Sequence, residues 1–184
     1  LPSFVPADER IVPISDHRSN WGAAVKLFLS DCGTEEDINR FASDISAYKK
    51  MITDYFRSDM PVFDLIFLGI GPDGHTASLF PGTCPDEGSK SWYSTVLETT
   101  ASFDPPNRLT LGPEVIASAK NLVVTITGET KSDIFKDFSY QVNLPPEETA
   151  GMELLPPVKI IRRRKTLGLD TLIIADRGAA EALP

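Results

Sequence analysis

Cysteine, positive charge and long apolar runs are all scarce in this chain of 184 residues. Its two cysteines, Cys32 and Cys84, fit neither a disulfide framework nor a metal-ligand spacing, so we expect reduced thiols and no bound metal. No stretch approaches the roughly 20 apolar residues of a membrane span. The chain has only 18 Lys and Arg residues against 26 Asp and Glu residues, and this acidic balance argues against non-specific nucleic-acid binding. We therefore predict a cytoplasmic protein that binds neither membranes nor nucleic acid.

The apolar residues that are present recur with the spacings of strands and helices. They make up 41% of the chain, enough for one sizeable core, so we predict a single domain over residues 1–184. The run at 62–68 is nearly continuous, which is typical of a parallel strand covered on both faces. The pattern predicts strands at 4–5, 62–68, 122–127 and 171–175 and helices at 21–29, 34–55, 113–119 and 130–138. Such alternation indicates an α/β fold with three αβα layers and a mostly parallel sheet.

The most informative segment is 62–83, VFDLIFLGIGPDGHTASLFPGT, in which an apolar run leads into a glycine-rich turn. The turn contains Gly69, Gly71 and Gly74 and carries Asp73 and His75. Histidine can take and return a proton near neutral pH, and a turn at the end of a strand lies at the mouth of an α/β crevice. Backbone N–H groups of such a turn can also bind an anion or an oxyanion. The segment therefore predicts a catalytic site.

The three glycines also fit G-x-G-x-x-G, the dinucleotide-binding fingerprint. Glu98 lies at a suitable distance for the acidic residue that contacts the ribose in that fold. However, Pro81 and Pro85 would interrupt the long helix that must follow the glycines. A dinucleotide site is therefore the weaker interpretation of this spacing.

The continuation of the turn resembles the signature of a known family. Residues 69–82, GIGPDGHTASLFPG, are similar to the signature of 6-phosphogluconolactonases, which share one sugar-phosphate superfamily with glucosamine-6-phosphate isomerases and deaminases. Further blocks of that family occur in the expected order at Asp8-Glu9-Arg10, Ser19-Asn20, 108–111 and Gly128-x-x-Lys131. Deaminases carry an Asn-Glu-Pro-type continuation, whereas this chain reads Ser-Leu-Phe-Pro at 78–81 and has no acid there. The resemblance therefore favours a lactonase.

This resemblance implies a sugar-phosphate isomerase/deaminase-like, Rossmann-like fold that hydrolyses 6-phosphoglucono-δ-lactone without a cofactor, in the oxidative pentose phosphate pathway. His75 would activate the attacking water and return the proton to the leaving ring oxygen. Asp73 would orient His75, increase its basicity or bind a sugar hydroxyl. The phosphorylated sugar lactone, the expected small-molecule partner, would be bound by Arg10, Gly69, Gly71, Gly74, Arg108 and Lys131.

These blocks are expected to meet at one edge of the sheet. Residues 8–10, 69–75 and 128–131 each follow a predicted strand, and ligands of open α/β sheets bind beyond the carboxyl ends of strands. The basic run at 162–165 matches no family motif, so we predict a solvated face or a loop there. His17 likewise has no motif around it, and we expect it to be structural or exposed.

Two other functions stay open. A sugar-phosphate isomerase or deaminase would need an acid soon after His75, and the nearest glutamate, Glu87, lies beyond Pro81 and Pro85. A non-catalytic sugar-phosphate-binding module is the second alternative. It arises because family members normally have several tens of residues before the Asp-Glu-Arg block, among them a Ser-Gly-Gly-Ser-Thr-type phosphate loop. We therefore expect that an N-terminal part of the lactonase domain lies outside this chain.

Overall fold

The computed structural model describes residues 3–32 and 44–182, which form the α/β fold that the strand and helix pattern predicts. In these residues the strands are β1 (Asp8–Arg10), β2 (Leu65–Gly69), β3 (Val96–Thr100), β4 (Asn107–Leu111), β5 (Asn121–Ile126) and β6 (Leu172–Ala175). The helices are α1 (Asn20–Ala24), which continues through the π-helical Val25–Leu29 into Ser30–Cys32, then α2 (Ile45–Phe56), α3 (Pro113–Ala117), α4 (Ser132–Asn143) and α5 (Pro156–Thr166). Short 3₁₀ turns lie at Glu129–Lys131, Pro146–Thr149 and Ala179–Ala182.

Two sheets share the described residues. Strands β2, β5 and β6 form a parallel sheet in that order, with Gly69 opposite Thr125 and Thr125 opposite Ile174. This sheet and its helices match the predicted class. Strands β1, β4 and β3 form a second, antiparallel sheet, which the sequence did not predict. Because the β2 and β5 strands are parallel neighbours, the turns that follow them open at the same edge.

The predicted strand at 4–5 is wrong, since these residues are irregular and the strand is the polar block Asp8–Arg10. This block pairs antiparallel with β4, with Arg10 opposite Arg108, so it does not follow a strand of the parallel sheet. Backbone hydrogen bonds to β4 hold this polar block as a strand, and a search for apolar spacing does not detect a strand of this kind. The start predicted for the helix at 34–55 lies outside the described residues, and its later part is α2.

Local signals account for where the helices begin. The Ser19 hydroxyl accepts a 2.8 Å hydrogen bond from the Gly22 N–H and so caps α1. The Asp44 carboxylate accepts bonds from the Ser46 and Ala47 N–H groups at the start of α2. Pro113 occupies the first turn of α3, where a missing N–H costs nothing. Among the described residues, no helix combines the length and the apolar character that crossing a membrane requires.

The core is one cluster to which both sheets and helices α2 to α5 contribute. Its buried side chains include Ile66, Leu68, Leu122, Val124, Ile126, Phe135, Phe138, Val158 and Ile160. Alternate side chains of β2 point the other way, and Leu65 and Phe67 are 47% and 64% exposed. The expectation that this strand is covered on both faces is therefore wrong within the described residues.

The basic run at 162–165 is part of α5 and is not the solvated segment that we expected. Arg162 donates hydrogen bonds to the Thr149 hydroxyl and to the carbonyls of Gln141 and Leu144. Arg163 pairs with the buried carboxylate of Glu114. The fully buried Arg164 binds backbone carbonyls, and Lys165 alone of the four is exposed. Consecutive residues of a helix point about 100° apart, so each of these arginines binds a different set of partners.

Glu114 and Arg163 form the ion pair that joins α3 to α5. Arg163 Nη2 donates to Glu114 Oε1 at 2.6 Å, and Trp92 Nε1 donates to Glu114 Oε2 at 2.7 Å. Burial by itself would raise the pKa of the Glu114 carboxyl, but the bonds from Arg163 and Trp92 outweigh it and hold that pKa below its usual value. The ionised carboxylate is therefore the form that the fold stabilises.

Candidate active site

The glycine turn after β2 is held by its own backbone. The Gly71 N–H donates to the His75 carbonyl at 2.8 Å, and the Gly74 N–H donates to the Gly71 carbonyl at 2.9 Å. The Thr76 hydroxyl donates to the Gly69 carbonyl at 2.9 Å and closes the base of the turn. The N–H groups of Gly71 and Gly74 are therefore used within the turn, where they hold its shape, and they are not available to a ligand in this conformation.

Two of the three glycines are required by space or by backbone conformation. A Cβ atom on Gly71 would overlap the imidazole of His75. Gly74 has a φ of +86°, and a Cβ atom there would also press against Leu155 and Ile134. A Cβ atom on Gly69 would meet nothing within 4 Å. The close approach at Gly71 is therefore what lets the imidazole fold back over the turn.

Asp73 and His75 form a side-chain pair inside this turn. His75 Nδ1 contacts Asp73 Oδ1, and the same oxygen accepts a 3.3 Å hydrogen bond from the His75 backbone N–H. A carboxylate oxygen accepts only, so the proton of a neutral imidazole sits on Nδ1. That tautomer leaves Nε2 as the proton acceptor. Of the roles that the sequence left open for Asp73, this contact favours orienting His75.

Two aromatic rings lie near the imidazole of His75. The centroid of the Phe80 ring lies 5.1 Å from that of His75, and the centroid of Phe103 lies 6.0 Å away. The guanidinium carbon of Arg108 lies over the Phe103 ring, 5.2 Å from its centroid. Phe103 is thus in contact with the candidate base and with a candidate anion-binding residue at once. The sequence offered no signal for Phe103, because a single aromatic in a Pro-rich loop fits no motif.

Arg10 and Arg108 lie opposite each other on β1 and β4. Arg108 is 2% exposed, and the Nε atoms of both arginines are buried without a hydrogen-bond partner among the described residues. Burial, followed by the charge of Arg10, lowers the pKa of the Arg108 guanidinium. Two like charges directly across a sheet repel each other. An anion bound between them would relieve that repulsion and satisfy the free donors.

Glu9 fixes the segment that carries Arg10. Its carboxylate is 1% exposed and accepts bonds from the Ser19 hydroxyl at 2.9 Å and from the Trp21 N–H at 2.6 Å. It also accepts from the backbone N–H groups of Arg10 and Asn20, at 2.7 and 2.8 Å. A carboxylate at the start of α1 complements the helix dipole. The Asp-Glu-Arg block and Ser19-Asn20 therefore meet through one buried side chain, which sequence reasoning did not assign.

Asp8 links the arginine strand to the histidine turn. The Ser78 hydroxyl donates to Asp8 Oδ2 at 2.8 Å, and the Thr99 hydroxyl donates to the Ser78 carbonyl at 2.8 Å. Burial raises the pKa of the Asp8 carboxyl, against the bond from Ser78 and the charge of Arg10. Ser78, which we singled out only for not being an acid, thus joins the two halves of the site.

Lys131 lies at the end of the turn that follows β5. Gly128 has a φ of +96°, and its N–H donates to both oxygens of Asp176, at 3.1 and 3.0 Å. The Ile134 side chain, on the first turn of α4, lies against Gly74. The Lys131 turn and the His75 turn therefore share one edge of the parallel sheet, as we expected. In the described ranges, no three His, Cys, Asp or Glu side chains are grouped as metal ligands.

Comparison with known proteins gives concordant findings. A sequence model described as glucosamine-6-phosphate isomerases/6-phosphogluconolactonase matches residues 3–168. The 6-phosphogluconolactonase 3 of Saccharomyces cerevisiae is 34% identical over 139 residues, which are 71% of this chain and 56% of that protein. The chain thus spans little more than half the length of this relative.

Solved structures show the same fold. The 6-phosphogluconolactonase from Trypanosoma cruzi has a TM-score of 0.69 at 27% identity, over 96% of this chain and 70% of that one. A monomeric glucosamine-6-phosphate deaminase has a TM-score of 0.70 at 22% identity, over 98% of this chain and 74% of that one. The two structures match this chain equally well in shape, so the fold alone does not distinguish a lactonase from a deaminase.

Proposed function

The chain belongs to the glucosamine-6-phosphate isomerase/6-phosphogluconolactonase family, and from this membership we propose that it hydrolyses 6-phosphoglucono-δ-lactone to 6-phosphogluconate. The observation that carries the proposal is the Asp73–His75 pair, which lies beside Arg108 through their common contact with Phe103. Contacts with one phenylalanine ring thus connect a candidate general base to a candidate anion-binding group, which supports the proposal. A phosphorylated lactone needs both.

His75 carries the proton in this mechanism. With Nδ1 held by Asp73, His75 Nε2 takes a proton from water as the water oxygen bonds to the C1 carbonyl carbon. The tetrahedral intermediate collapses by breaking the bond between C1 and the ring oxygen. The imidazolium then returns its proton to that oxygen, which leaves as the C5 hydroxyl. General acid–base catalysis of this kind contributes about 10²–10⁴-fold in rate.

The arginine pair provides local positive charge at the site, although the chain as a whole is acidic. The formal net charge is −8, so an anionic substrate needs local cations against the global field. Arg10 and Arg108 provide forked donors, and Lys131 adds a point charge from the neighbouring turn. We assign binding of the phosphate and of the sugar oxygens of the substrate to these three side chains.

The residues after His75 support a lactonase over a deaminase. The ring centroid of Phe80 lies 5.1 Å from that of His75, and the Ser78 hydroxyl donates a hydrogen bond to Asp8. An apolar ring and a structural hydroxyl thus occupy the stretch in which the deaminase branch of the family carries its glutamate. The chain therefore offers one base, which lactone hydrolysis uses, and no second acid beside it in residues 76–81.

A direct assay tests the activity. Freshly made 6-phosphoglucono-δ-lactone is incubated with the purified chain, and 6-phosphogluconate is measured with a coupled dehydrogenase after subtraction of spontaneous hydrolysis. We expect enzyme-dependent product formation and no ammonia from glucosamine-6-phosphate. Ammonia release at a rate comparable with lactone turnover would overturn the assignment, as would binding of 6-phosphogluconate without any lactone turnover.

We predict that Arg108→Ala weakens substrate binding. Loss of charge-assisted hydrogen bonds worth about 1.5–3 kcal/mol raises KM by about 10- to 100-fold. Titration with 6-phosphogluconate should show the same loss of affinity. Lys49→Ala, which removes an exposed cation on α2, serves as the control and should leave KM unchanged. An unchanged KM in a folded Arg108→Ala variant would contradict the assignment.

We predict that Asp73→Asn lowers kcat more than it changes KM. The asparagine amide can present a donor to Nδ1 and stabilise the tautomer whose Nε2 carries the proton, so kcat falls by tenfold or more, in the manner of other base-orienting carboxylates. Steady-state kinetics measure the split. Asp137→Asn, a neutralised exposed aspartate on α4, is the matched control. If kcat of the Asp73 variant stayed within twofold of the wild type, the orienting role would be wrong.

A further inference from the structure

Phe103 stands out as an exposed aromatic ring at the centre of the site. It lies in the connection between β3 and β4 and is 43% exposed, although large apolar side chains favour burial. Its centroid is 6.0 Å from His75 and 5.9 Å from Phe80, and Arg108 lies over the ring. The Phe103 ring takes no part in the proton transfer that His75 carries out. It therefore presents open apolar surface where the reacting sugar must lie.

The loop that carries Phe103 is tethered to the anion-binding side of the site. Arg18 Nη1 donates to Asp104 Oδ2, and Arg18 also forms a two-pronged pair with Asp16, at 2.9 and 2.7 Å. The Arg18 carbonyl in turn accepts a 2.7 Å bond from Arg10 Nη1. One short segment thus fixes both the residue after Phe103 and the side chain of Arg10. The aromatic ring and the arginine pair are positioned together.

The geometry points to Phe103 as the residue that recognises the closed sugar ring, an inference that rests on the proposed function. A pyranose lactone presents a face of C–H groups that packs on an aromatic ring, whereas the open-chain acid has no such flat face. Arg108 holds the anionic end of the same ligand while its guanidinium lies over the Phe103 ring. Phe103 therefore selects the cyclic substrate over open-chain sugar phosphates, the hydrolysed product included.

The test compares two unreactive ligands that differ in ring closure. These are 1,5-anhydroglucitol 6-phosphate, which has the pyranose ring, and glucitol 6-phosphate, which has the same phosphate on an open chain. We expect calorimetry to show that Phe103→Ala lowers the affinity for the cyclic ligand by about tenfold and the affinity for the open-chain ligand by less than about twofold. The reason is that the stacking contact is lost while the phosphate contacts remain. Phe103→Tyr should restore the preference for the ring. In turnover, KM for the lactone should rise while kcat changes little.

Tyr93→Ala is the matched control, because Tyr93 is also a 43% exposed aromatic and belongs to no contact of the site. It should bind both ligands like the wild type. Equal losses for the two ligands in Phe103→Ala, or no loss for either, would overturn ring recognition. A fall in kcat without a change in affinity would show that Phe103 only supports His75. If the wild type bound neither ligand, the proposed function itself would fail, which is a separate result.

Discussion

His75→Asn is expected to lower enzyme-dependent lactone hydrolysis by at least about 100-fold, the lower end of what general acid–base catalysis contributes. Asparagine keeps a donor that can reach Asp73, and its volume suits the space that Gly71 leaves for the imidazole. However, its amide cannot take a proton from water near neutral pH. The substitution therefore removes the proton transfer and leaves the turn in place.

The measurement is kcat/KM for 6-phosphoglucono-δ-lactone with the spontaneous rate subtracted, together with circular dichroism to verify the fold. His17→Asn is a matched control, because the only other histidine has a side chain that is 90% exposed. It should retain full activity. Binding of 6-phosphogluconate to the His75 variant should persist, since the arginine pair is untouched. A folded His75→Asn variant with near-wild-type turnover would refute His75 as the base.

The histidine turn could be predicted from the sequence because its determinants are local. The space beside Gly71 is limited by His75 and Asp73 of the same turn, and Asp73 contacts a residue only two positions away, whereas Gly74 alone approaches the distant Ile134 and Leu155. A short window of sequence therefore contains almost everything that shapes it. The surrounding residues of the site are different, because Phe103, which contacts His75 and Arg108, lies in the connection between β3 and β4 and is positioned only when these strands pair.

Buried charge was the main feature that the sequence hid. Glu9 is a charged residue in a polar block, yet it is buried and accepts bonds from Ser19 and Trp21, which lie 10 and 12 positions away, while Asp8 beside it accepts a bond from Ser78, 70 positions away. Periodicity methods assign such residues to the surface, because they weigh only apolar spacing. Among the described residues, Leu65 and Phe67 of β2 are exposed, although their apolar run indicates a strand that is covered on both faces.

In the basic run on α5, the hydrogen-bond partners of each side chain determine whether it is buried or exposed. Arg164 is the buried member of this run and gives the prediction with the largest expected effect on stability. Its side chain is fully buried and donates to the carbonyls of Ala117 and Ala119, at 2.8 and 2.6 Å. It also donates to the Asp170 carbonyl at 3.1 Å and to the Thr171 hydroxyl at 3.0 Å. Burial lowers the pKa of this guanidinium, which nevertheless stays charged because arginine is so basic.

Arg164→Met should therefore reduce the free energy of unfolding by about 3 kcal/mol or more, since each buried carbonyl left without a donor costs about 1–3 kcal/mol. Methionine fills much of the space, so the loss reports the missing hydrogen bonds rather than a cavity. Arg164→Lys keeps the charge but not the fork, and it should also destabilise because one ammonium cannot reach all the acceptors. Urea denaturation measures both variants, with Lys165→Met on the exposed face of α5 as the control, expected within about 0.5 kcal/mol of the wild type. If Arg164→Met were as stable as that control, the hydrogen bonds of the guanidinium would do no more than offset the cost of burying its charge. The proposed role of Arg164 in joining α3, α5 and β6 would then be wrong.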